Sequence, residues 1–277
     1  MKQYAHALIA AMQFLTRIPI PKEVPFTNEV LKRSTLFFPI AGGVIGLFIW
    51  GAGAGLSLLL PTGPAAAMTL ALMLVVTGGL HMDGLMDTAD GIFSSRSRER
   101  MLEIMKDSRV GAMGVIACVL MLLLKWSLLM ILFDANAWHI WIVIPFIWSR
   151  AAMVWAMTNE PYARAESGLG SYFQGLTQKH VSASYGCAWV LTAAAVAVMM
   201  LPIQVSPLMT MPAGIIPGWP WLLLIASPLL GIVSAWGISR YLSKKLGGLT
   251  GDTYGALNEC TEMVFLLLLV VLCGMKG

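Results

Sequence analysis

Three aspartates, Asp83, Asp87 and Asp90, follow one another at intervals of four and three residues. If the segment is helical, this spacing places the three carboxylates on one helical face. Neighbouring carboxylates repel one another unless a cation lies between them, and oxygen ligands suit a hard ion such as Mg²⁺. The spacing therefore predicts a magnesium site, beside which Gly84 and Gly91 leave room for a bulky phosphate.

A second polar segment supplies further groups for phosphoryl transfer. We expect a helix over about residues 97–106, with Glu103 and Asp107 as another acidic pair four residues apart. Carboxylates that hold a metal and basic side chains that bind phosphate oxygens are the groups that phosphoryl transfer requires. A solvated loop in which aspartates and arginines merely pair is the alternative, and the position beside an apolar run disfavours it. The basic side chains here are Arg96, Arg98, Arg100, Lys106 and Arg109.

Two further features are candidates for substrate binding. His81 adjoins the aspartates and could contact phosphate, or could simply be a polar residue at an interface. The segment 246–259 holds four glycines, including Gly248, whose backbone N–H groups could bind an anion. Asp252 and Glu259 share a face if that segment is helical, although a purely structural role is equally compatible with the pattern. The loop 164–175 is another glycine-bearing candidate.

The elements that position these residues must be membrane helices. The chain is 58% hydrophobic and 12% charged, whereas a soluble domain carries about 25% charged residues. It has no charged residue between Arg33 and Asp83, or between Lys179 and Arg240, and a helix needs about 20 apolar residues to cross a bilayer. We predict an all-α integral membrane protein, a single polytopic domain over 1–277. Its seven predicted spans are 36–60, 64–80, 110–133, 138–158, 183–203, 219–238 and 262–275.

The distribution of basic residues predicts the orientation. With the N-terminal segment inside, fifteen of the eighteen Lys and Arg residues lie on the cytoplasmic side. Lys125 and Arg150 fall within spans. We therefore expect the catalytic loops to be cytoplasmic. The net charge of +4 is too small to indicate nucleic-acid binding. Within the first span, the glycine pairs Gly42/Gly46 and Gly51/Gly55 predict close helix packing.

At these residues the chain resembles a known family. The sequence of residues 78–91, GGLHMDGLMDTADG, is similar to the signature of the cobalamin synthase family, the adenosylcobinamide-GDP ribazoletransferases. The resemblance continues through Arg100–Arg109 and Leu246–Asp252, and also through Gln13–Ile20 and Gly168–Gly170. These matches occur in order from the N-terminus to the last span, so the resemblance covers the whole chain.

The resemblance implies a reaction. Members join adenosylcobinamide-GDP to α-ribazole, or to its 5′-phosphate, release GMP and require Mg²⁺ in the bacterial inner membrane. A ribose hydroxyl would attack the phosphorus attached to cobinamide, with Mg²⁺ on the aspartate face and Glu103 or Asp107 accepting the hydroxyl proton. The other candidate residues would bind substrate: His81, Arg96, Lys106, Arg109, Gly248, Asp252 and Glu259. The expected partners are these small molecules and membrane lipid, with no nucleic acid, and a homo-oligomer stays open.

Two other classes of protein remain as alternatives. The run Asp87-Thr-Ala-Asp90-Gly91 partly matches the DxxDG core of the CDP-alcohol phosphotransferases, for which a lipid substrate would be the discriminating observation. An ion-coupled transporter would need charges near the bilayer midplane. We expect the acidic residues to avoid the spans, which disfavours a transporter.

Overall fold

The computed structural model describes residues 2–135, 137–163, 169–200 and 219–274. The described residues form eleven α-helices. They are α1 (Lys2–Leu15), α2 (Asn28–Ser34), α3 (Phe38–Leu59), α4 (Thr62–Thr77), α5 (Leu80–Phe93), α6 (Arg98–Ile104), α7 (Ala112–Asp134), α8 (Val143–Asn159), α9 (Gln178–Met200), α10 (Trp219–Leu246) and α11 (Gly251–Gly274).

The long helices confirm an all-α membrane fold. Six described helical segments are long and apolar enough to cross a bilayer, and the bent pair α4 and α5 raises the number to seven if the pair counts as one span. The last span is longer than predicted, since α11 begins at Gly251. The residues between the predicted spans 183–203 and 219–238 lie outside the described residues.

Helix α8 forms the centre of the bundle. It packs against α3, α9, α10 and α11, and it carries the fully buried side chains of Trp148 and Phe146. Gly42 and Gly46 of α3 lie directly against α8: a Cβ on Gly46 would be 2.6 Å from the Cα of Val143. The packing prediction is therefore confirmed for this glycine pair. It is wrong for Gly51 and Gly55, where an added Cβ meets nothing within 4 Å.

A sharp corner separates α4 from α5. Gly78 and Gly79 have φ angles of 66° and 70°, a left-handed conformation that glycine adopts without steric cost. The Gly78 N–H donates to the carbonyl groups of Leu74 and Val75, which ends α4, and α5 then leaves at 90°. The second span thus ends at Thr77, slightly before the predicted boundary at 80. The turn sets the aspartate-bearing helix across the bundle.

Candidate active site

A cavity of about 170 Å³ lies where α1, α5, α8 and α11 meet. Asp83 and His81 of α5 line it together with Asp252, from the first turn of α11. The two helices are in close contact at Gly84, where an added Cβ would lie only 2.5 Å from the backbone oxygen of Asp252. Residues that are far apart in the sequence therefore share one site.

The three aspartates lie on one helix, as predicted, but in different surroundings. Asp83 is exposed to the cavity, and Asp87 is half-buried one turn further along α5. Asp90 accepts hydrogen bonds from the backbone N–H groups of Gly111 and Gly114, both at 2.7 Å. These N–H groups belong to the first turn of α7, where helices leave their donors unpaired. Asp90 thus anchors the start of α7.

The described side chains do not form a complete cage for the predicted metal ion. Within the described parts of the chain, no group of three or more His, Cys, Asp or Glu side chains is arranged to hold a metal ion. Mg²⁺ is, however, commonly bound by one or two carboxylates, with substrate phosphates and water completing the octahedron. Asp83 and Asp252 line the same cavity, so their donor chemistry fits such a partial site better than a complete cage.

Glu103 and Asp107 do not form the predicted helical pair. Helix α6 ends at Ile104, so Asp107 lies beyond it. Glu103 pairs with Arg100 at 2.6 Å, and Asp107 pairs with Arg109 at 2.6 Å. The hydrogen bonds that Asp107 accepts from Arg109 lower its carboxyl pKa to about 2. A carboxylate with so low a pKa is a weak base at neutral pH, and neither residue lines the described cavity.

The basic side chains of the segment 96–109 lie at the protein surface. Arg96, Lys106 and Arg109 are exposed and do not line the cavity beside Asp83. Arg98 has a structural contact instead, because it donates to the carbonyl oxygen of Gly247 at 2.9 Å. This bond ties the start of α6 to the turn between α10 and α11.

That turn uses the N–H groups of residues 248–250 for hydrogen bonds within the protein. The Gly248 N–H donates to the Ser243 carbonyl at 3.1 Å, and the Leu249 N–H donates to Pro161 at 2.7 Å. The Thr250 N–H donates to the hydroxyl oxygen of Thr253 at 2.8 Å. These three donors are used within the protein, and an anion-binding role for the Gly248 N–H is therefore wrong. The part of the other glycine-bearing loop at 164–168 lies outside the described residues.

A buried ionic network lies behind the cavity. Lys125 contacts Glu259 at 2.6 Å and Glu262 at 2.8 Å, and Arg150 also pairs with Glu262. All four side chains are at least nine-tenths buried. The expectation that acidic residues avoid the spans is therefore wrong, because Glu259 and Glu262 lie within the span formed by α11. A neighbouring cation offsets the desolvation of each carboxylate. Glu259 therefore faces Lys125 rather than the described cavity.

His81 connects this network to the cavity. Its ring is 1% exposed, and its Nδ1 lies 3.5 Å from Nη2 of Arg150. A guanidinium only donates hydrogen bonds, so Nδ1 must accept and the ring proton belongs on Nε2. The Nε2 atom has no hydrogen-bond partner among the described residues. His81 is thus a lining residue of the cavity that carries a buried N–H donor without a partner among the described residues.

Comparisons with known proteins identify the family. The family model described as cobalamin-5-phosphate synthase matches residues 7–270. A protein of Brevibacillus brevis named adenosylcobinamide-GDP ribazoletransferase is 38% identical, covering 96% of this chain and 98% of its own length. Proteins with the same name from Desulfitobacterium hafniense and Desulforamulus reducens are 38% and 39% identical, covering 93% and 95% of this chain and 93% and 96% of their own lengths.

No solved structure matches the chain. The family match is nonetheless nearly complete in length, and it includes every helix that lines the cavity. The chain belongs to the cobalamin-5-phosphate synthase family.

Proposed function

We propose that the cavity beside Asp83 and Asp252 is the place where this transferase joins adenosylcobinamide-GDP to α-ribazole or its 5′-phosphate, with the assistance of Mg²⁺. The chain is an enzyme of cobalamin biosynthesis by its family and its near full-length relatives. The observation that carries the location is the convergence of two carboxylates from α5 and α11 on one cavity.

The reaction is a phosphoryl transfer. A hydroxyl oxygen of the ribazole ribose forms a bond to the phosphorus attached to cobinamide, the bond from that phosphorus to the GMP oxygen breaks, and the hydroxyl proton passes to a base. Holding the two large substrates in line supplies part of the rate enhancement. When bound, Mg²⁺ would neutralise the charge that develops on the leaving phosphate.

Individual residues have defined tasks in this proposal. Asp83, with Asp87 one turn away, would hold the metal, and Asp252 would complete the ligand set from α11. The Nε2–H group of His81 would donate to a phosphate oxygen. Asp90 would act indirectly, since both of its oxygens already accept backbone N–H groups. The general base among the predicted residues, Glu103 or Asp107, stays a prediction.

The orientation and the membrane also belong to the proposal. We place the active site on the cytoplasmic face of the bacterial inner membrane, because basic residues cluster in the segment between α5 and α7 and at the end of α10. They are Arg96, Arg98, Arg100, Lys106 and Arg109 in the first cluster, and Arg240, Lys244 and Lys245 in the second. The lack of three converging ligands among the described residues supports a metal that binds together with the diphosphate rather than before it.

Release of GMP tests the function. Purified protein in detergent should release GMP from adenosylcobinamide-GDP only when α-ribazole and Mg²⁺ are both present, and the corrinoid product should appear in equal amount. Addition of EDTA should stop the reaction, and excess Mg²⁺ should restore it. GMP release that does not depend on α-ribazole would indicate hydrolysis and would contradict the assignment.

A further inference from the structure

A second cavity, of about 290 Å³, adjoins the one beside Asp83. Tyr162, Phe173 and Tyr254 line both cavities, so the two spaces share an aromatic wall. Phe173 is 2% exposed, and its ring centroid lies 5.5 Å from that of Phe14 and 5.9 Å from that of Phe38. The Phe173 ring is thus held by other aromatic rings, while Tyr162, which is only partly buried, borders the cavity with an aromatic side chain.

Glu160 supplies the charged side chain of this second cavity, whose lining also includes Thr158 and Gln174. Its side chain is 7% exposed, and its buried Oε2 atom has no hydrogen-bond partner among the described residues. Nη1 of Arg240 lies 3.8 Å from that oxygen, beyond hydrogen-bonding distance. Arg240 thus offsets the charge of Glu160 without donating a hydrogen bond to Oε2. A buried acceptor without a donor is costly, and a ligand with an N–H group would remove that cost.

The backbone holds Glu160 in place. Its N–H donates to the Ala156 carbonyl at 3.1 Å and so ends α8. The adjacent Pro161 carbonyl accepts from Leu249 N–H at 2.7 Å, and the Leu249 carbonyl accepts from Ala163 N–H at 2.8 Å. The carboxylate is thus attached to a fixed segment, which reduces the ordering cost of binding a ligand.

A flat ring with two adjacent N–H donors on one edge fits a carboxylate flanked by aromatic side chains. Guanine has this edge, formed by N1–H and the N2 amino group, and a carboxylate can accept from both. The benzimidazole ring of α-ribazole carries no N–H group. We propose that Glu160 is a specificity-determining residue that binds the guanine base of adenosylcobinamide-GDP. This inference rests on the proposed function for the identity of the substrate.

The wall shared by the two cavities sets the orientation of the bound nucleotide. With guanine in the cavity beside Glu160, the phosphates extend past Tyr254 towards Asp83 and Asp252, which line the adjoining space. The reacting phosphorus then lies at the carboxylate end, and the bulky corrinoid lies beyond it. One nucleotide therefore spans both cavities.

Equilibrium binding of GMP, IMP and AMP to the purified full-length protein tests the proposal. IMP lacks the N2 amino group, and AMP presents a ring acceptor in place of N1–H. We expect the wild type to bind GMP at least about tenfold more tightly than IMP and to bind AMP most weakly, because a site built for a donor rejects analogues that lack it. In Glu160→Gln the ratio of GMP to IMP affinity should fall to within about threefold, since one carboxylate acceptor is lost.

Glu29→Gln is the matched control, because it makes the same chemical change at an exposed residue of α2 that pairs with Arg33. It should keep the wild-type preference. If Glu160→Gln does not fold, N1-methyl-GMP serves instead, and its binding to the wild type should be lost. Equal affinity for GMP, IMP and AMP in the wild type, or an unchanged preference in folded Glu160→Gln, would overturn the proposal.

These measurements are independent of turnover. If the wild type binds GMP selectively through Glu160 but does not transfer α-ribazole, the proposed function fails and the base-binding site stands. If the wild type turns over substrate but does not distinguish the bases, the base-binding proposal fails alone.

Discussion

At the scale of single residues, two aspartates of one motif have different tasks. Asp83 faces the cavity, whereas Asp90 accepts two N–H groups from the start of α7. We expect Asp83→Asn to lower kcat at least about a hundredfold, in the range for losing a major electrostatic group, with little change in thermal stability. Steady-state GMP release and a thermal unfolding curve in detergent measure both. Near-normal turnover would remove Asp83 from the metal site.

Asp90→Asn should mainly affect stability. An amide can accept from one of the N–H groups of Gly111 and Gly114 but presents its own NH₂ group to the other, leaving a partly buried donor unpaired. We expect a loss of roughly 1–3 kcal/mol in unfolding free energy, measured by denaturant titration. If the variant is as stable as the wild type but inactive, Asp90 contacts metal or substrate directly.

Asp107 provides a test of the proton acceptor. Loss of a general base typically costs 10²–10⁴-fold in rate, and the pKa of about 2 for Asp107 disfavours that role. We expect Asp107→Asn to change kcat by less than about tenfold, whereas a loss of a hundredfold or more would support the role assigned from the sequence. The depressed pKa means that the pair with Arg109 stabilises the fold above about pH 4, the ordinary value, and that this stabilisation is lost as the pH falls through about 2. An acid titration of Asp107 should therefore shift upwards in Arg109→Gln.

At the scale of helices, the approach of α5 to α11 holds the site together. A Cβ on Gly84 would lie 2.5 Å from the Asp252 backbone oxygen, so Gly84→Ala should separate the helices and lower both stability and kcat/KM. Gly51→Ala is the matched control, because a Cβ there meets nothing within 4 Å. Melting temperature and GMP release should both decline for Gly84→Ala alone, and equal behaviour of the two variants would contradict the packing account.

The buried network is a second contact between helices. Lys125→Met leaves Glu259 and Glu262 without one of their cations, which should cost about 3–5 kcal/mol. The double variant Lys125→Met/Glu259→Gln removes one uncompensated charge and should recover part of that loss. Thermal unfolding measures this, with Lys179→Met at an exposed residue as control. No destabilisation in Lys125→Met would show that the network is dispensable.

Local patterns predicted the helices well, while the partners of the buried charges could not be predicted from them. The spacing of Asp83, Asp87 and Asp90 is a property of one helix, and α5 confirms it. The partners of Lys125, in contrast, lie 134 and 137 residues away in the chain, so no local periodicity indicates them. A glycine-rich run is compatible with a structural turn and also with an anion-binding site. Only the hydrogen bonds of residues 248–250 show that these N–H groups belong to a structural turn.

At the scale of the whole molecule, the unequal distribution of Lys and Arg predicts the orientation. Ser95 is exposed between α5 and α6. In a background without the four native cysteines, Ser95→Cys should react with an impermeant maleimide only after the cells are opened. Asp134→Cys, at the opposite end of α7, should react in intact cells. The reverse pattern would invert the proposed orientation.

The central claim is that a divalent ion binds with the substrate diphosphate between Asp83 and Asp252. Electron paramagnetic resonance of Mn²⁺, as a substitute for Mg²⁺, measures this binding directly. The wild type should bind Mn²⁺ tightly only when adenosylcobinamide-GDP is present. Asp83→Asn and Asp252→Asn should each weaken that binding at least about tenfold, and Asp134→Asn should leave it unchanged. Unchanged Mn²⁺ binding in both Asp83→Asn and Asp252→Asn would contradict the account.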